Sequence, residues 1–280
     1  MGQSNMLHSK TLKVVTNGDL IYLTFPSLCM PGVTAAFSTR MGGYSRGRFA
    51  QMNLSFTNGD SRETVLKNYE VLLGALKLNP KRAVLSHQTH TNRLRVVTKA
   101  DIGKGIVKPR DYENIDGLIT NLPGVPLVTQ YADCVPLLFF DPVKRVVAAA
   151  HAGWRGTVQE IGAKTVQKMQ AEFGCCPADI HAAIGPSIGP CCYEVDRPVI
   201  KAVCALSYLS PEQVLTPVDA THQKLNLQQT NALILQHAGI LPQNLTVSDL
   251  CTCCNSNYFH SHRATGGSRG NLAAVIALTE

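Results

Sequence analysis

The chain has 280 residues, of which 45% are hydrophobic and 16% are charged, and its formal net charge is +7. This composition supports a large buried core and excludes an intrinsically disordered chain, which is poor in apolar residues and rich in charge. The apolar residues come in short runs that fall well below the ~20 residues needed to span a bilayer, so we expect no membrane segment. The length suits a single domain over residues 1–280.

The start of the chain lacks a basic head followed by a continuous apolar stretch, so we expect no secretory signal and a cytoplasmic protein. In a reducing compartment the ten cysteines are expected to be structural, metal-binding or catalytic rather than disulfide-bonded. Adjacent cysteines lack the two-residue gap of zinc knuckles, which lets both sulfurs turn towards one ion. We therefore predict that most of the cysteines are buried thiols. The adjacent pairs are Cys175/Cys176, Cys191/Cys192 and Cys253/Cys254.

The positive charge favours an anionic substrate, with phosphate as one candidate and nucleic acid as another. The 26 basic residues are scattered, however, and they lack the aromatic interleaving of a strand-binding platform. We therefore expect neither nucleic acid nor a membrane as a partner.

The first part of the chain predicts a hairpin, a buried strand and a helix. Asn17-Gly18 tolerates positive φ between two apolar runs, which is typical of a tight turn. A small-residue apolar run then leads into a glycine loop, and apolar residues at helical spacing follow a Ser61 cap. The predicted strands are 12–16, 21–25 and 33–39, and the helix runs from Ser61 through Leu66, Tyr69, Leu73 and Leu76.

The rest of the chain predicts a large sheet system followed by mixed elements. Runs rich in Val, Leu, Phe and Thr, separated by Asp, Pro and Gly, are typical of strands. The predicted strands are 83–86, 94–98, 117–121, 126–131, 135–140, 146–150, 180–184, 245–250 and 273–278. The predicted helices are 157–173, which Gly174 ends, 198–206 and 225–237. Because strands and helices do not alternate strictly, the pattern favours an α+β fold over a doubly wound one.

Three potential metal ligands lie at predicted strand ends in the middle of the chain. His90 ends a polar turn, Cys134 interrupts two apolar strands, and His151 follows the strand 146–150 and precedes a helix. Two imidazoles and a thiolate match the ligands of an open catalytic zinc site, whose fourth position holds water of lowered pKa. Spacing alone leaves this hypothesis open, because a histidine at a strand end is more often a surface or hydrogen-bonded residue.

Two segments combine glycine with arginine, and a third combines glycine with proline. Glycine lets backbone N–H groups approach an oxyanion closely, and arginine offers a planar fork for phosphate. Neither glycine–arginine segment matches a P-loop or dinucleotide fingerprint, so both are also compatible with ordinary turns. The segments are 38–43, 261–270 and the rigid loop 184–193.

Four motifs of the chain, in order, resemble the signature segments of the laccase-domain family. They are Gln88-Thr89-His90, Tyr131-Ala132-Asp133-Cys134-Val135-Pro136, His151-Ala152-Gly153-Trp154-Arg155-Gly156 and Ile184-Gly185-Pro186-Ser187-Ile188-Gly189. Members of that family have been called polyphenol oxidase, purine nucleoside phosphorylase or peptidoglycan editing factor. The resemblance extends from Ser38-Thr39-Arg40 to Ser261-His262-Arg263 and implies a four-layer α/β/β/α sandwich with mixed sheets.

The resemblance also implies an activity and a metal. His90, Cys134 and His151 match the residues that bind zinc, with copper as an alternative. The implied reactions are phosphorolysis of adenosine, inosine, guanosine and methylthioadenosine and hydrolytic deamination of adenosine, so purine nucleosides and phosphate are the expected partners. For these reactions we predict phosphate or substrate binding by Arg40, Arg155 and Arg263, and proton transfer by Asp133.

Two residues depart from the family pattern, and three other functions remain open. Thr91 stands where glycine commonly follows the first histidine, and Tyr131 stands where threonine commonly begins its motif; both are expected to affect pocket shape. Phenol oxidation would need redox-active copper and further ligands, which the single triple does not offer. Cys134 activated by His151 or His90 would instead give an amidase suited to cell-wall editing, and a non-enzymatic phosphate-binding protein would show salt-sensitive binding without turnover.

Overall fold

A computed structural model describes residues 7–279 as two large β-sheets with helices on their outer faces. The strands of the first sheet are β1 (Lys13–Asn17), β2 (Leu20–Thr24), β3 (Val33–Ser38), β4 (Val84–Leu85), β7 (Leu127–Tyr131) and β15 (Leu272–Leu278). Those of the second are β5 (Leu94–Val96), β6 (Gly117–Thr120), β8 (Val135–Asp141), β9 (Val146–Ala152), β10 (His181–Ile184) and β14 (Leu245–Val247). A small third sheet contains β11 (Glu194–Val195), β12 (Leu215–Pro217) and β13 (Gln223–Leu225).

Both large sheets mix parallel and antiparallel neighbours. The first has the order β1-β2-β3-β15-β7-β4 and the second the order β14-β10-β8-β9-β6-β5. The pairs β4–β7, β5–β6 and β10–β14 are parallel, and the other pairs in these sheets are antiparallel. The helices are α1 (Arg62–Ala75), α2 (Trp154–Val158), α3 (Ile161–Phe173), α4 (Arg197–Cys204), α5 (Leu227–His237) and α6 (His262–Thr265).

Alternation along the strands divides the core into layers. In the first sheet Phe37 belongs to the core between the sheets, whereas its neighbour Ala36 packs on the side of α1. In the second sheet Leu138 faces the core between the sheets, and Leu137 faces the layer that contains α3 and α5. Successive side chains of a strand point to opposite faces, so each sheet is covered on both sides. The α+β class and the four-layer arrangement predicted above are confirmed.

The structure corrects several predicted boundaries. The helix predicted at 157–173 is two helices, because Glu160 adopts a left-handed conformation with φ 58° between α2 and α3. The apolar spacing hid this break because α2 and α3 both contribute side chains to one core layer. His151 lies inside β9 rather than after it, since that strand continues to Ala152. The short elements β11, β12, β13 and α6 were not predicted.

The prediction that most cysteines are buried is wrong. Cys175 and Cys251 are buried, and the other eight are exposed or partly exposed. Most of them lie in the loops between the regular elements, at the surface, where loops generally run. Over residues 7–279 no helix combines the length and apolarity that crossing a bilayer requires.

His260 gives the fold a pH-dependent term in its stability. The side chain is buried, and the Gly270 N–H donates to its Nδ1 at 3.3 Å. Burial, reinforced by the charge of Arg40, lowers the pKa of His260 to about 3, against ~6.5 in an unfolded chain. The unfolded state therefore binds the proton first, and this contribution to stability is complete above pH ~6.5 and is lost as the pH falls towards 3.

We expect His260→Gln to reduce the loss of unfolding free energy between pH 7 and pH 4 by up to about 3 kcal/mol. Urea titrations at the two pH values measure the difference. The matched control is His222→Gln, at an exposed imidazole. Equal pH dependence in wild type and His260→Gln would show that His260 does not titrate in this way.

Candidate metal centre

Three distant parts of the chain bring His90, Cys134 and His151 together. His90 follows β4 with φ 63°, Cys134 lies in the tight connection between β7 and β8, and His151 lies in β9. The antiparallel register of β8 and β9 pairs Pro136 with His151, which places Cys134 beside the same strand end. One ligand atom of each residue lies within 4.8 Å of the others, and the two imidazole centroids are 5.0 Å apart.

The buried carboxylate of Asp116 organises this group of three residues. His151 Nδ1 donates to Asp116 Oδ1 at 2.9 Å, which leaves Nε2 as the free donor nitrogen of the imidazole. The backbone N–H groups of Thr89, His90 and Thr91 also donate to the carboxylate, as does Thr91 Oγ1. Asp116 therefore fixes both the ring of His151 and the loop that carries His90.

The charges in this group support one another. Burial opposes ionisation of the Cys134 thiol, but His151 and His90 outweigh burial and lower the Cys134 pKa to about 6. Burial likewise disfavours the His151 imidazolium, but Cys134 and Asp116 raise its pKa to about 9. For Asp116, burial is outweighed by His151 and by backbone N–H groups, so its pKa falls to about 2. The metal-free protein thus holds a thiolate beside an imidazolium at neutral pH.

The surroundings of the three donors fit a bound metal ion. A Cβ atom at Gly153 would lie 2.7 Å from His90 Nδ1 and 3.1 Å from Cys134 Sγ. Glycine at this position therefore leaves the donor atoms room that any other residue would fill. Two imidazoles and one thiolate, with one imidazole supported by a carboxylate, are typical ligands of zinc and are also compatible with copper.

The three donors lie at the wall of a cavity of about 920 Å³. This volume is within the range of small-molecule sites, ~300–1,000 Å³. The lining is strongly basic, and its guanidinium and ammonium groups come from Arg62, Lys108, Arg110, Arg155, Arg263 and Arg269. A cavity with this charge favours an anionic ligand group such as phosphate.

The arginines predicted from the sequence differ in their surroundings. Arg155 and Arg263 line the cavity. The Arg155 guanidinium stacks over Trp154 at 4.3 Å, and within residues 7–279 it has no hydrogen-bond partner. Arg263 donates to the carbonyls of Cys192 at 2.8 Å and Glu194 at 3.3 Å.

Arg40 does not line the cavity. Its Nε donates to the Ala50 carbonyl at 2.7 Å and its Nη1 donates to the Ser256 carbonyl at 3.0 Å. These contacts join two loops of the fold. Substrate binding by Arg40 stays a prediction that this arrangement does not support.

Asp133 lies at the cavity with both carboxylate oxygens in use. Thr252 Oγ1 donates to Oδ1 at 2.6 Å, and the backbone N–H of Arg263 donates to Oδ2 at 2.7 Å.

The two residues that depart from the family pattern, Thr91 and Tyr131, are not in the cavity lining. Thr91 instead supports Asp116, and Tyr131 is buried with its ring 5.5 Å from that of His151.

Two residues of the site were missed by the sequence reasoning. Asp116 directly precedes the predicted strand 117–121, and its local sequence does not distinguish it from the other acidic residues that separate the strands. Arg269 lies within the glycine–arginine segment, and its buried Nε has no hydrogen-bond partner in the described part of the chain.

The chain is similar to one known protein family and to several named proteins. The profile of the family described as "Multi-copper polyphenol oxidoreductase laccase" matches residues 34–279. The chain is 38% identical over 252 residues to the purine nucleoside phosphorylase YlmD of Bacillus subtilis (strain 168), which covers 89% of each chain. It is 31% identical over 246 residues to the adenosine deaminase RL5 of an unknown prokaryotic organism, covering 88% of this chain and 94% of that one.

A solved structure shares the fold over nearly the whole chain. The hypothetical protein YfiH of Bacillus licheniformis superposes with a TM-score of 0.90 at 34% sequence identity, covering 96% of this chain and 100% of the other. The range matched by the family profile includes His90, Cys134 and His151.

Proposed function

The chain belongs to the multi-copper polyphenol oxidoreductase laccase family, and from this membership we propose that it is a metal-dependent purine nucleoside enzyme. The proposed reactions are phosphorolysis of adenosine, inosine, guanosine and methylthioadenosine and hydrolytic deamination of adenosine. The names of the relatives, purine nucleoside phosphorylase and adenosine deaminase, support both reaction types. Zinc is the proposed metal, with copper as the alternative, and a cytoplasmic location stays a prediction.

One observation carries the proposal: His90, Cys134 and His151 converge at the wall of a basic cavity large enough for a nucleoside. When bound by these three residues, a zinc ion supplies a Lewis acid to the cavity. Asp116 accepts the Nδ1 proton of His151, so Nε2 is the nitrogen that faces the ion and releases its proton when a metal binds, and the lowered pKa of Cys134 keeps its sulfur ionised at neutral pH. Both effects prepare the donors before the ion arrives.

Phosphorolysis needs phosphate held beside the ribose C1′ atom. A phosphate oxygen forms the bond to C1′ while the C1′–N9 bond breaks, and the base leaves with a proton. Arg155 is the proposed phosphate ligand because its guanidinium lines the cavity without a hydrogen-bond partner in the described structure. Arg263 is the second candidate, although part of its donor capacity serves two carbonyls.

Deamination needs water to add at the purine C6 atom and ammonia to leave. A carboxyl group near the reacting atoms can carry the proton between them. Asp133 is the proposed carrier because it lines the cavity beside Cys134. Its hydrogen bonds from Thr252 and Arg263 fix the direction in which the carboxylate points.

Incubating the zinc-loaded protein with adenosine, with and without phosphate, tests the proposal. Adenine that forms only with phosphate indicates phosphorolysis, and inosine that forms without it indicates deamination. The control is His222→Ala, which removes an imidazole that does not line the cavity. No product under either condition would contradict the proposed function.

A second candidate function rests on Cys134 itself. Its lowered pKa and the chain of contacts from Asp116 to His151 to Cys134 resemble an activated Cys–His nucleophile. An amidase acting on cell-wall precursors would use this pair without a metal. Full activity on such a substrate after removal of all metal by chelation would favour this function over zinc chemistry.

Phenol oxidation is supported less well by the same geometry. Blue-copper sites add a weak axial ligand such as methionine to two histidines and one cysteine. Among residues 7–279, no methionine lines the cavity. Phenol oxidation would become the favoured function if the copper-loaded protein oxidised phenols faster than the zinc-loaded protein converts nucleosides.

We expect Arg155→Met to separate the two purine reactions. Loss of a charge-assisted contact to phosphate is worth ~1.5–3 kcal/mol, so kcat/KM for phosphorolysis should fall about 10- to 100-fold. Deamination does not use phosphate and should change little. Steady-state kinetics of both reactions measure the effect, with the exposed Arg197→Met as the matched control. An equal fall in both rates would contradict phosphate binding by Arg155.

A further inference from the structure

A second cluster of sulfur atoms lies in the loops beside the cavity. Sγ atoms of Cys191, Cys192, Cys251 and Cys254 all lie within 4.8 Å of one another. None of these four residues belongs to the candidate centre formed by His90, Cys134 and His151. Cys251 is buried, Cys192 is partly exposed, and the other two are exposed.

Two loops distant in sequence form this four-cysteine cluster. Ser187 and Cys251 form a parallel β-bridge, which aligns the loop after β10 with the loop after β14. The Cys192 N–H donates to the Gly189 carbonyl at 3.0 Å, so the chain turns at the adjacent pair. The Asn255 N–H donates to the Cys251 carbonyl at 3.1 Å, and a second turn brings Cys254 back towards Cys251.

The sulfur separations fit a shared ion better than a disulfide. Cys254 Sγ lies 3.3 Å from Cys191 Sγ and 3.4 Å from Cys192 Sγ. A disulfide bond is ~2.05 Å long and joins only two sulfurs. In a tetrahedral site with zinc–sulfur bonds of ~2.3 Å, neighbouring sulfurs are ~3.8 Å apart. Cys254 therefore stands close to two other sulfurs at once, as ligands of one ion do.

The backbone around Cys251 is also suited to an ionised sulfur. The Gly189 N–H donates to Cys251 Sγ at 3.2 Å. A Cβ atom at Gly189 would lie 3.1 Å from Cys251 Cβ and 3.4 Å from Cys191 Sγ. Glycine at this position thus gives the sulfurs room and supplies a hydrogen bond that stabilises a thiolate.

We propose that Cys191, Cys192, Cys251 and Cys254 bind a second, structural zinc ion. Four thiolates are soft ligands and complete a tetrahedron, which is typical of a closed structural site. On binding, the four thiols release four protons to solvent and form four zinc–sulfur bonds, so no oxidant or reductant is needed. The resulting complex carries two negative charges. The positively charged guanidinium of Arg263 lies beside it, where it donates a hydrogen bond to the Cys192 carbonyl.

The second ion joins two loops that shape the cavity. Ile188 and Tyr193, on one loop, line the cavity, and Thr252, on the other, donates to Asp133. Binding of an ion to folded but not unfolded protein stabilises the folded form. The structural zinc ion therefore holds the wall next to Cys134 in place without contacting the substrate.

Metal content of purified, reduced and zinc-loaded protein tests this proposal. Wild type is expected to hold about two zinc ions per chain and Cys191→Ser/Cys254→Ser about one, because the double variant removes two of four ligands. Both substituted residues are exposed, so the variant is expected to fold. The triple variant that also carries His90→Ala should hold no zinc. If the candidate centre binds no zinc, wild type and His90→Ala both hold one ion, and the proposal for the four cysteines still stands.

Cobalt loading gives a readout that does not depend on activity. The thiolate-to-cobalt charge-transfer absorption should survive in His90→Ala, which keeps four sulfur ligands, and should largely disappear in Cys191→Ser/Cys254→Ser. Cys204→Ser is the remote control and Cys253→Ser the control within the same segment; both should keep the absorption.

Three results would overturn the assignment. The first is a double variant that retains the zinc content and cobalt spectrum of wild type. Loss of zinc in Cys253→Ser would require a different set of sulfurs. Peptide mapping that finds a disulfide among the four cysteines, with no zinc bound there, would show that the cluster is oxidised rather than metallated.

Discussion

His90→Ala is expected to lower kcat/KM for both phosphorolysis and deamination about a thousandfold or more, because loss of the ion removes several kcal/mol of transition-state stabilisation. Among the three donors, His90 is the exposed one. Its removal therefore leaves the core intact, whereas Cys134 and His151 are more deeply placed. Steady-state kinetics and zinc content of the same preparation measure the two effects together.

The design separates metal binding from other causes of lost activity. After removal of all metal from both proteins, the thermal midpoint of His90→Ala should stay close to that of wild type. His222→Ala serves as the matched control and should keep both zinc and activity. If His90→Ala lost the activity but kept the zinc at the candidate centre, His90 would contact the substrate rather than the ion.

Much of the fold follows from local patterns in the sequence. The hairpin around Asn17-Gly18 and the helix behind Ser61 were predicted because a turn dipeptide and an N-cap act over a few residues. The cap is present, since the Ser61 side chain accepts the Thr64 N–H. The break at Glu160 was not predictable in this way, because a single left-handed residue leaves the apolar spacing of the flanking helices unchanged.

The candidate site was only partly accessible to the same reasoning. His90, Cys134 and His151 were recognisable as metal-binding residue types at strand ends, but their convergence depends on the register of β8 and β9 and on packing between the sheets. The resemblance to a known family supports the metal-site hypothesis more strongly than the positions of the three residues alone. The role of Asp116 depends on partners 25 to 35 residues away, which no local pattern indicates.

The four-cysteine cluster could not be predicted from pairs of adjacent cysteines. Cys251 and Cys254 are separated by two residues, which is the spacing of a zinc knuckle, but they belong to no adjacent pair with each other. Cys191 and Cys192 lie beside Cys251 and Cys254 only because the β-bridge between Ser187 and Cys251 aligns two loops that are more than 60 residues apart in sequence. Both halves of the cluster were visible in the sequence, but only tertiary structure pairs them.

Asp116→Asn is expected to weaken zinc binding at the candidate centre about 10- to 100-fold, the usual effect of removing the partner of a metal-bound histidine. The carboxylate accepts hydrogen bonds from His151 Nδ1, from three backbone N–H groups and from Thr91 Oγ1. An amide replaces one acceptor oxygen with a donor NH₂ group, so at least one N–H group would face another donor. His151 then loses the acceptor that holds its Nδ1 proton and keeps Nε2 directed towards the ion.

Asp101→Asn is a matched control for this substitution. Asp101 is also buried and accepts hydrogen bonds from Arg95, Lys104 and Thr98, but it lies outside the cavity lining. Both variants are expected to unfold more easily, because each disrupts a buried carboxylate network. Only Asp116→Asn should weaken zinc binding and lower the pKa of His151 in the metal-free protein from about 9.

Competition with a metal indicator measures the zinc affinity, and NMR titration of the imidazole measures the pKa of His151. These two readouts distinguish a positioning residue from a merely structural one, since a general loss of stability would move neither. Equal zinc affinity in Asp116→Asn and Asp101→Asn would mean that the hydrogen bond to His151 Nδ1 does not prepare the centre. In that case the register of β8 and β9 alone would set the position of His151, and the carboxylate would serve only to hold the loop of residues 89–91.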